Sequence, residues 1–153
     1  MSGFFEKIMP NVVAYWDRFT TSCGQTLQMF AIAGVLTFIF GLIFGVILTV
    51  TKRDGIRQNL VIYYIVDIFT NVFRSIPFII LLIFLIPFTR ALVGTAIGVK
   101  GAVVPLIFGA VPFFTRQVET ALANVSYGKI EAARSMGSTT MGLIFRIYLH
   151  EAV

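Results

Sequence analysis

The run LQMFAIAGVLTFIFGLIFGVILTV, residues 27–50, decides what kind of protein this is. It carries no charge, and the uncharged stretch around it reaches from Phe19 to Thr51. A helix needs about 20 apolar residues to cross the hydrocarbon core of a bilayer, so residues 25–50 are expected to form a first transmembrane helix. Composition points the same way. AVILMFWYC makes up 58% of the 153 residues, with 13 glycines besides, and only 12% are charged. A soluble domain holds about 45–50% apolar residues on nearly the same set and about 25% charged ones. The chain therefore reads as an all-α integral membrane protein. A soluble enzyme, a disordered region and a disulfide scaffold are excluded, and the lone Cys23 has no second cysteine to bridge. Gly41 and Gly45 lie inside the run as a small-xxx-small pair, which lets helices approach closely. The plainer reading is that glycine is common in membrane helices.

Before the run, residues 1–20 read as an interfacial segment. Glu6, Lys7, Asp17 and Arg18 balance one another, and Phe4, Phe5, Tyr15 and Trp16 suit the headgroup region. No signal peptide is present in this reading, since a basic opening and a small-residue cleavage site are both lacking. After the run, Lys52-Arg53-Asp54-Gly55-Ile56-Arg57 forms a tight basic turn. Residues 59–89 are then apolar apart from Asp67, Asn71 and Arg74. As one helix this stretch would measure about 46 Å, more than the roughly 30 Å of the bilayer core. The expectation is a second transmembrane helix over 57–89, kinked near Pro77, with a hairpin of two short helices as the alternative. Residues 90–100 make a Gly-rich turn. Residues 99–122 form a third membrane helix, with Pro105 and Pro112 as kink sites. The segment 126–150 reads as two short amphipathic helices broken at Gly137-Ser138.

The net charge of +5, from 12 Lys+Arg against 7 Asp+Glu, describes orientation rather than an affinity for nucleic acid. With three crossings, one side holds Lys7, Arg18, Arg90 and Lys100. The other holds Lys52, Arg53, Arg57, Arg116, Lys129, Arg134 and Arg146, with Arg74 inside a segment. Seven against four places the 52–57 turn and the C-terminal segment in the cytoplasm.

No catalytic constellation, metal site or cofactor site is legible. The single His150 has no ligand-type neighbour at metal spacing, and Cys23 has no partner base. The phosphate-binding Gly-x4-Gly-Lys-Ser/Thr loop is missing, so energy for any uphill movement must come from a partner or an ion gradient. Asp67 and Arg74 stand seven residues apart, two turns along one helix face. Intramembrane charges face a bundle interior or a wet path, so both are expected to act together in orienting the second helix; snorkelling to the interface is the bland alternative.

The tail is the informative part. Glu131-Ala132-Ala133 is followed after three residues by Gly137, and nine residues later by Ile147-Tyr148-Leu149. Ile130, Ala133 and Met136 line one face of the first short helix, and Met141, Ile144, Phe145 and Tyr148 one face of the second. Such a cytoplasmic pair is shaped to lie in a groove on another protein. Glu131 can pair with Arg134 or with that partner.

This pattern resembles the EAA signature of the membrane subunits of bacterial ABC importers, with His150 standing where that signature has proline. Phe73-Arg74-Ser75-Ile76-Pro77-Phe78, Ile86-Pro87-Phe88-Thr89-Arg90, Val104-Pro105-Leu106 and Pro112-Phe113 narrow the likeness to the methionine-uptake permeases of that superfamily. The resemblance covers roughly residues 21–153. It implies a partial type I permease fold of three transmembrane helices followed by coupling helices, in the bacterial inner membrane. It also implies a homodimer working with a cytoplasmic ABC ATPase subunit and a substrate-binding lipoprotein. Glu131, Ala132, Ala133, Gly137, Ile147 and Leu149 would couple to the ATPase, while Asp67, Arg74 and Pro77 are candidates for the pathway or for helix orientation. The function so implied is methionine uptake without an ATPase site of its own. A permease for another amino acid or small solute, or a non-transporting truncated remnant, are the alternatives. The family continues with two more membrane helices where this sequence stops at Val153, so the chain is expected to be a fragment or a truncated product.

Overall fold

The computed structural model describes residue 11 and residues 14–151; residues 1–10, 12 and 13 of the expected interfacial segment, and residues 152–153, lie outside the described residues. Every regular element among the described residues is helical. Helix α1 runs Trp16–Thr51, 36 residues, and so takes in the last part of the stretch read as interfacial. At 1.5 Å per residue it is about 54 Å long. Helix α2 is Leu60–Ser75 and α3 is Phe78–Val93, 16 residues each. Helix α4, Gly98–Ala123, contains both Pro105 and Pro112 and runs as one element of 26 residues. Four short pieces follow: α5 Tyr127–Ser135, α6 Thr140–Leu143, a π-helical turn Ile144–Tyr148, and α7 Leu149–Glu151 closing the described chain.

The frame of the molecule is α1 lying along α4. A Cβ at Gly41 would sit 2.5 Å from Phe114 Cδ1. One at Gly45 would sit 2.5 Å from Val118 Cγ1 and 3.0 Å from the Thr115 carbonyl oxygen. Both glycines are therefore where the two backbones come together, in the manner of packed membrane helices. Gly34 has nothing within 4 Å of such an added carbon; for it the plainer reading holds.

The helix expected over 57–89, kinked near Pro77, stands in two pieces. Asn59 caps α2, its Oδ1 accepting from the Ile62 N–H at 3.3 Å, so the helix starts at Leu60. It ends at Ser75, and α2 and α3 meet at a bend of 113°. Pro77 has no N–H to donate and pushes the preceding residue out of the helical region. Ile76 (φ −87°, ψ 124°) and Pro77 (φ −55°, ψ 134°) are accordingly both extended, and two such residues in succession turn a kink into an elbow. Contacts with α4 set where α3 goes. The Phe78 ring lies on Gly109, where a Cβ would come within 2.9 Å of it, and Phe88 stands edge-on to Phe108 with centroids 5.6 Å apart. Ten residues of α3, about 15 Å of helix, thus pass beside two adjacent residues of α4. Helix α3 crosses α4 steeply, while α2 runs antiparallel beside it.

The 52–57 turn is sewn to the end of α1. The N–H groups of Gly55, Arg57 and Asn59 donate to the carbonyls of Lys52, Val50 and Thr51 at 2.9, 3.1 and 3.1 Å. Gly55 is required here, since a Cβ would lie 2.3 Å from the Val50 oxygen. Beside this turn lies a buried apolar cluster, Val118, Leu122, Ile130 and Tyr148, against which Leu42, Val46, Ile56, Phe114, Val125 and Leu149 pack. Elsewhere large apolar side chains such as Phe30, Ile79 and Phe84 face outward, as a surface solvated by lipid tails allows.

Candidate functional site

The segment after α4 folds back onto the ends of α1 and α4. Helix α5 stops at Gly137, whose φ of 80° lies in the left-handed region. Its N–H donates to the Arg134 carbonyl at 2.9 Å, and the next N–H, of Ser138, reaches back to the Ala133 carbonyl at 3.0 Å. This pair of bonds closes the helix end and needs glycine at the left-handed position. Thr139 then caps α6, its Oγ1 accepting from the Gly142 N–H at 3.2 Å.

Burial divides the segment into two faces. Ile130, Ala133, Leu143 and Tyr148 are buried against the chain itself. Glu131, Ala132 and Gly137 are exposed, together with Met136, Met141 and Phe145. Ile147 and Leu149 are half-buried, Leu149 on the cluster of Val118, Leu122, Ile130 and Tyr148. The apolar faces read from the sequence are therefore corrected. Ile130 and Ala133 turn inward while Met136 turns outward, and Tyr148 leaves the face of Met141 and Phe145. The π-helical turn explains the second departure. Its wider i to i+5 spacing rotates Tyr148 off the stripe that a regular helix would make. Arg134 does not pair with Glu131; its Nη2 donates to the Ile56 carbonyl at 3.2 Å, tying α5 to the 52–57 turn. Burial pushes the Tyr148 phenol above its ordinary value of 10.0, with Arg134 pulling the other way.

A second constellation lies between α2 and α4. The Asp67 carboxylate pairs with Arg116, not with Arg74. Arg116 also donates to Asn71 Oδ1 at 2.9 Å and to Glu119 Oε2 at 2.5 Å, and Asn71 Nδ2 donates to Asp67 Oδ2 at 3.1 Å. Arg74 instead places its guanidinium 5.4 Å from the centre of the Phe113 ring. So both residues face α4, but each meets its own partner rather than the two acting together. Pro77 forms the elbow. Sequence reasoning missed Arg116, Asn71 and Glu119. The available signal was that an acid within an apolar segment demands a cation at its own depth. Asp67 is seven residues past the start of α2 and Arg116 seven before the end of α4, each about 10 Å in. Among the described residues no group of three His, Cys, Asp or Glu could hold a metal.

Residues 38–153 match the family described as binding-protein-dependent transport system inner membrane component. The chain belongs to this family. Its relatives include the D-methionine transport system permease protein MetI of Escherichia coli K12, 48% identical over 129 residues, covering 84% of this chain and 59% of that protein. The methionine import system permease protein MetP of Bacillus subtilis is 40% identical over 151 residues, covering 97% and 66%. In two inward-facing crystal forms of the MetNI methionine ABC transporter, a chain 48% identical superposes with TM-scores of 0.80 and 0.81, over 84% of this chain and 59–60% of that one. The present chain spans about three fifths of the length of such relatives. As in this family of inner-membrane components, it is all-helical over the described residues and has the type I importer permease fold.

Proposed function

We infer that this chain is the permease part of an ABC importer for methionine, working as a homodimer with a separate cytoplasmic ATPase and fed by a substrate-binding lipoprotein. The observation that carries the reading is 48% identity to a D-methionine permease over 129 residues. The two-faced segment 127–151 supplies the mechanics. Its exposed side, with Glu131, Ala132, Gly137, Met136, Met141 and Phe145, offers charge, small residues for close approach and apolar contact to the ATPase. Its buried side, with Ile130, Ala133, Leu143 and Tyr148, grips the ends of α1 and α4. A displacement imposed on one side therefore passes to the membrane helices on the other through packed contacts. Arg134 on the Ile56 carbonyl extends the grip to the turn that begins α2.

The test uses the permease gene that carries this sequence, co-expressed with its ATPase and lipoprotein. Glu131→Lys and Gly137→Val should leave membrane insertion intact, while methionine uptake falls at least tenfold or the ATPase no longer co-purifies. Uptake and co-purification at wild-type levels in Gly137→Val would overturn the coupling role.

A further inference from the structure

We propose that a cleft on the turn between α1 and α2 binds the phosphate headgroup of an anionic phospholipid. The cleft, of about 380 Å³, is lined by Lys52, Arg53, Leu60, Tyr63 and Tyr64. Its volume falls in the roughly 300–1,000 Å³ range of small-molecule sites. Two cations close it on one side. Among the described residues neither has an ion-pair partner, because both ion pairs there belong to Arg116. The turn's single acid, Asp54, stands at the tip with φ 66° and does not line the cleft. Two tyrosines close the other side, their rings edge to face with centroids 5.7 Å apart. Tyr64 offers its hydroxyl to a phosphate, and the two rings offer their faces to its glycerol.

Two features favour a lipid over a soluble phosphate. The cleft sits where the charged turn gives way to the apolar run of α2, so an occupant must join an anion to hydrocarbon. Leu60 and Tyr64 are exposed on that border, ready for the first methylenes of an acyl chain. The site is also prepared in advance. The three backbone bonds that sew the turn to α1, and the tight fit at Gly55, hold the two cations on a fixed frame, which reduces the ordering cost of binding. Basic pockets on the cytoplasmic side of membrane helices are suited to anionic headgroups, and the charge count puts this turn on that side. The site also has neighbours that matter. Ile56, in the same turn, accepts the Arg134 bond from α5, and Tyr63 lies within electrostatic reach of Arg116, Asp67 and Glu119. A bound headgroup would thus steady both the coupling segment and the α2–α4 pair.

The experiment is native mass spectrometry of the full chain released from nanodiscs of phosphatidylcholine containing phosphatidylglycerol. Phosphatidylglycerol should be retained preferentially. A hydrogen bond between a charged side chain and a phosphate held in a site is worth about tenfold or more in an equilibrium, so Arg53→Gln should lower retention about tenfold and Lys52→Gln with Arg53→Gln about a hundredfold. Tyr64→Ala, which leaves every charge of the turn in place, should also lower it. Arg57→Gln removes a cation from the same turn but not from the cleft, and should change retention less than twofold. A loss in Arg57→Gln equal to that in Arg53→Gln would reduce the turn to diffuse charge and overturn the site. Equal retention of the two lipids would overturn it as well. Competition by soluble glycerol phosphate as effective as by lipid would overturn the lipid assignment.

Discussion

Asp67 and Arg116 stand about 10 Å inside α2 and α4, where a charge without a partner is expensive. Their pairing is shared with Asn71 and Glu119, so the acid satisfies its oxygens and the guanidinium its fork within one cluster. Couplings of this kind in membranes average about 0.6 kcal/mol and reach about 1.7. A double-mutant cycle of Asp67→Asn with Arg116→Gln should therefore give a coupling near the upper end. The same cycle with Arg74→Gln in place of Arg116→Gln should give none. Tyr148 offers a second test. Its folded phenol titrates above 10.0 because burial disfavours the phenolate. The neutral form is the one that packs, so its contribution is complete below pH 10 and is lost as pH rises through the folded value. Protease accessibility of the 127–151 segment should rise above pH 10 in the wild type, and Tyr148→Phe should remove that dependence while leaving the segment docked. A rise of equal size in Tyr148→Phe would place the titration elsewhere. At this scale the sequence was informative about kinds of residue and poor about pairs. The acid at 67 was visible, but its cation lies 49 positions away, and no periodicity within one helix reports on a contact between two.

Among the elements, α1 was the most legible, because an uncharged run longer than a bilayer leaves few alternatives. The elbow was half legible. Pro77 announced a break, but the size of the bend depends on where Phe78 finds a surface, and that surface is Gly109 on a helix not yet read. The face of the final segment was misjudged for a local reason, the extra residue carried by the π-helical turn. The contact of α1 with α4 gives a direct measure of how much glycine spacing matters. Gly45→Val would drive a side chain into Val118 and the Thr115 carbonyl, and overpacking of this kind costs about 1–3 kcal/mol. Gly34→Val, in the same helix and with open space around it, should leave stability within about 0.5 kcal/mol. Unfolding of the two variants in mixed detergent micelles would show the difference. A Gly45→Val protein as stable as Gly34→Val would mean that the two helices are not held at this distance in the membrane.

For the molecule as a whole, the question is which ends share a side. Helix α4, at 26 residues, is about 39 Å long and outreaches the hydrocarbon core. Its last turn lies by the 52–57 turn, bridged through Arg134 and Ile56, so its start at Gly98 must lie on the opposite face. We propose that the bent pair α2–α3 leads from one face to the other as one broken span, since neither half, at about 24 Å, could cross alone. Cysteines placed at positions 55 and 96 should accordingly react from opposite sides of intact cells, position 96 from outside; reaction of both from the same side would make the elbow a re-entrant loop. The 49-residue separation of Asp67 from Arg116 has a further consequence, in time rather than space. Chains are made at about 5–20 residues per second, so roughly 2–10 s pass between the synthesis of the acid and that of its cation. For that interval α2 enters the membrane carrying a carboxylate with no counter-charge, and the newborn protein depends on water, on the interface or on an attendant at the insertion site to keep it there.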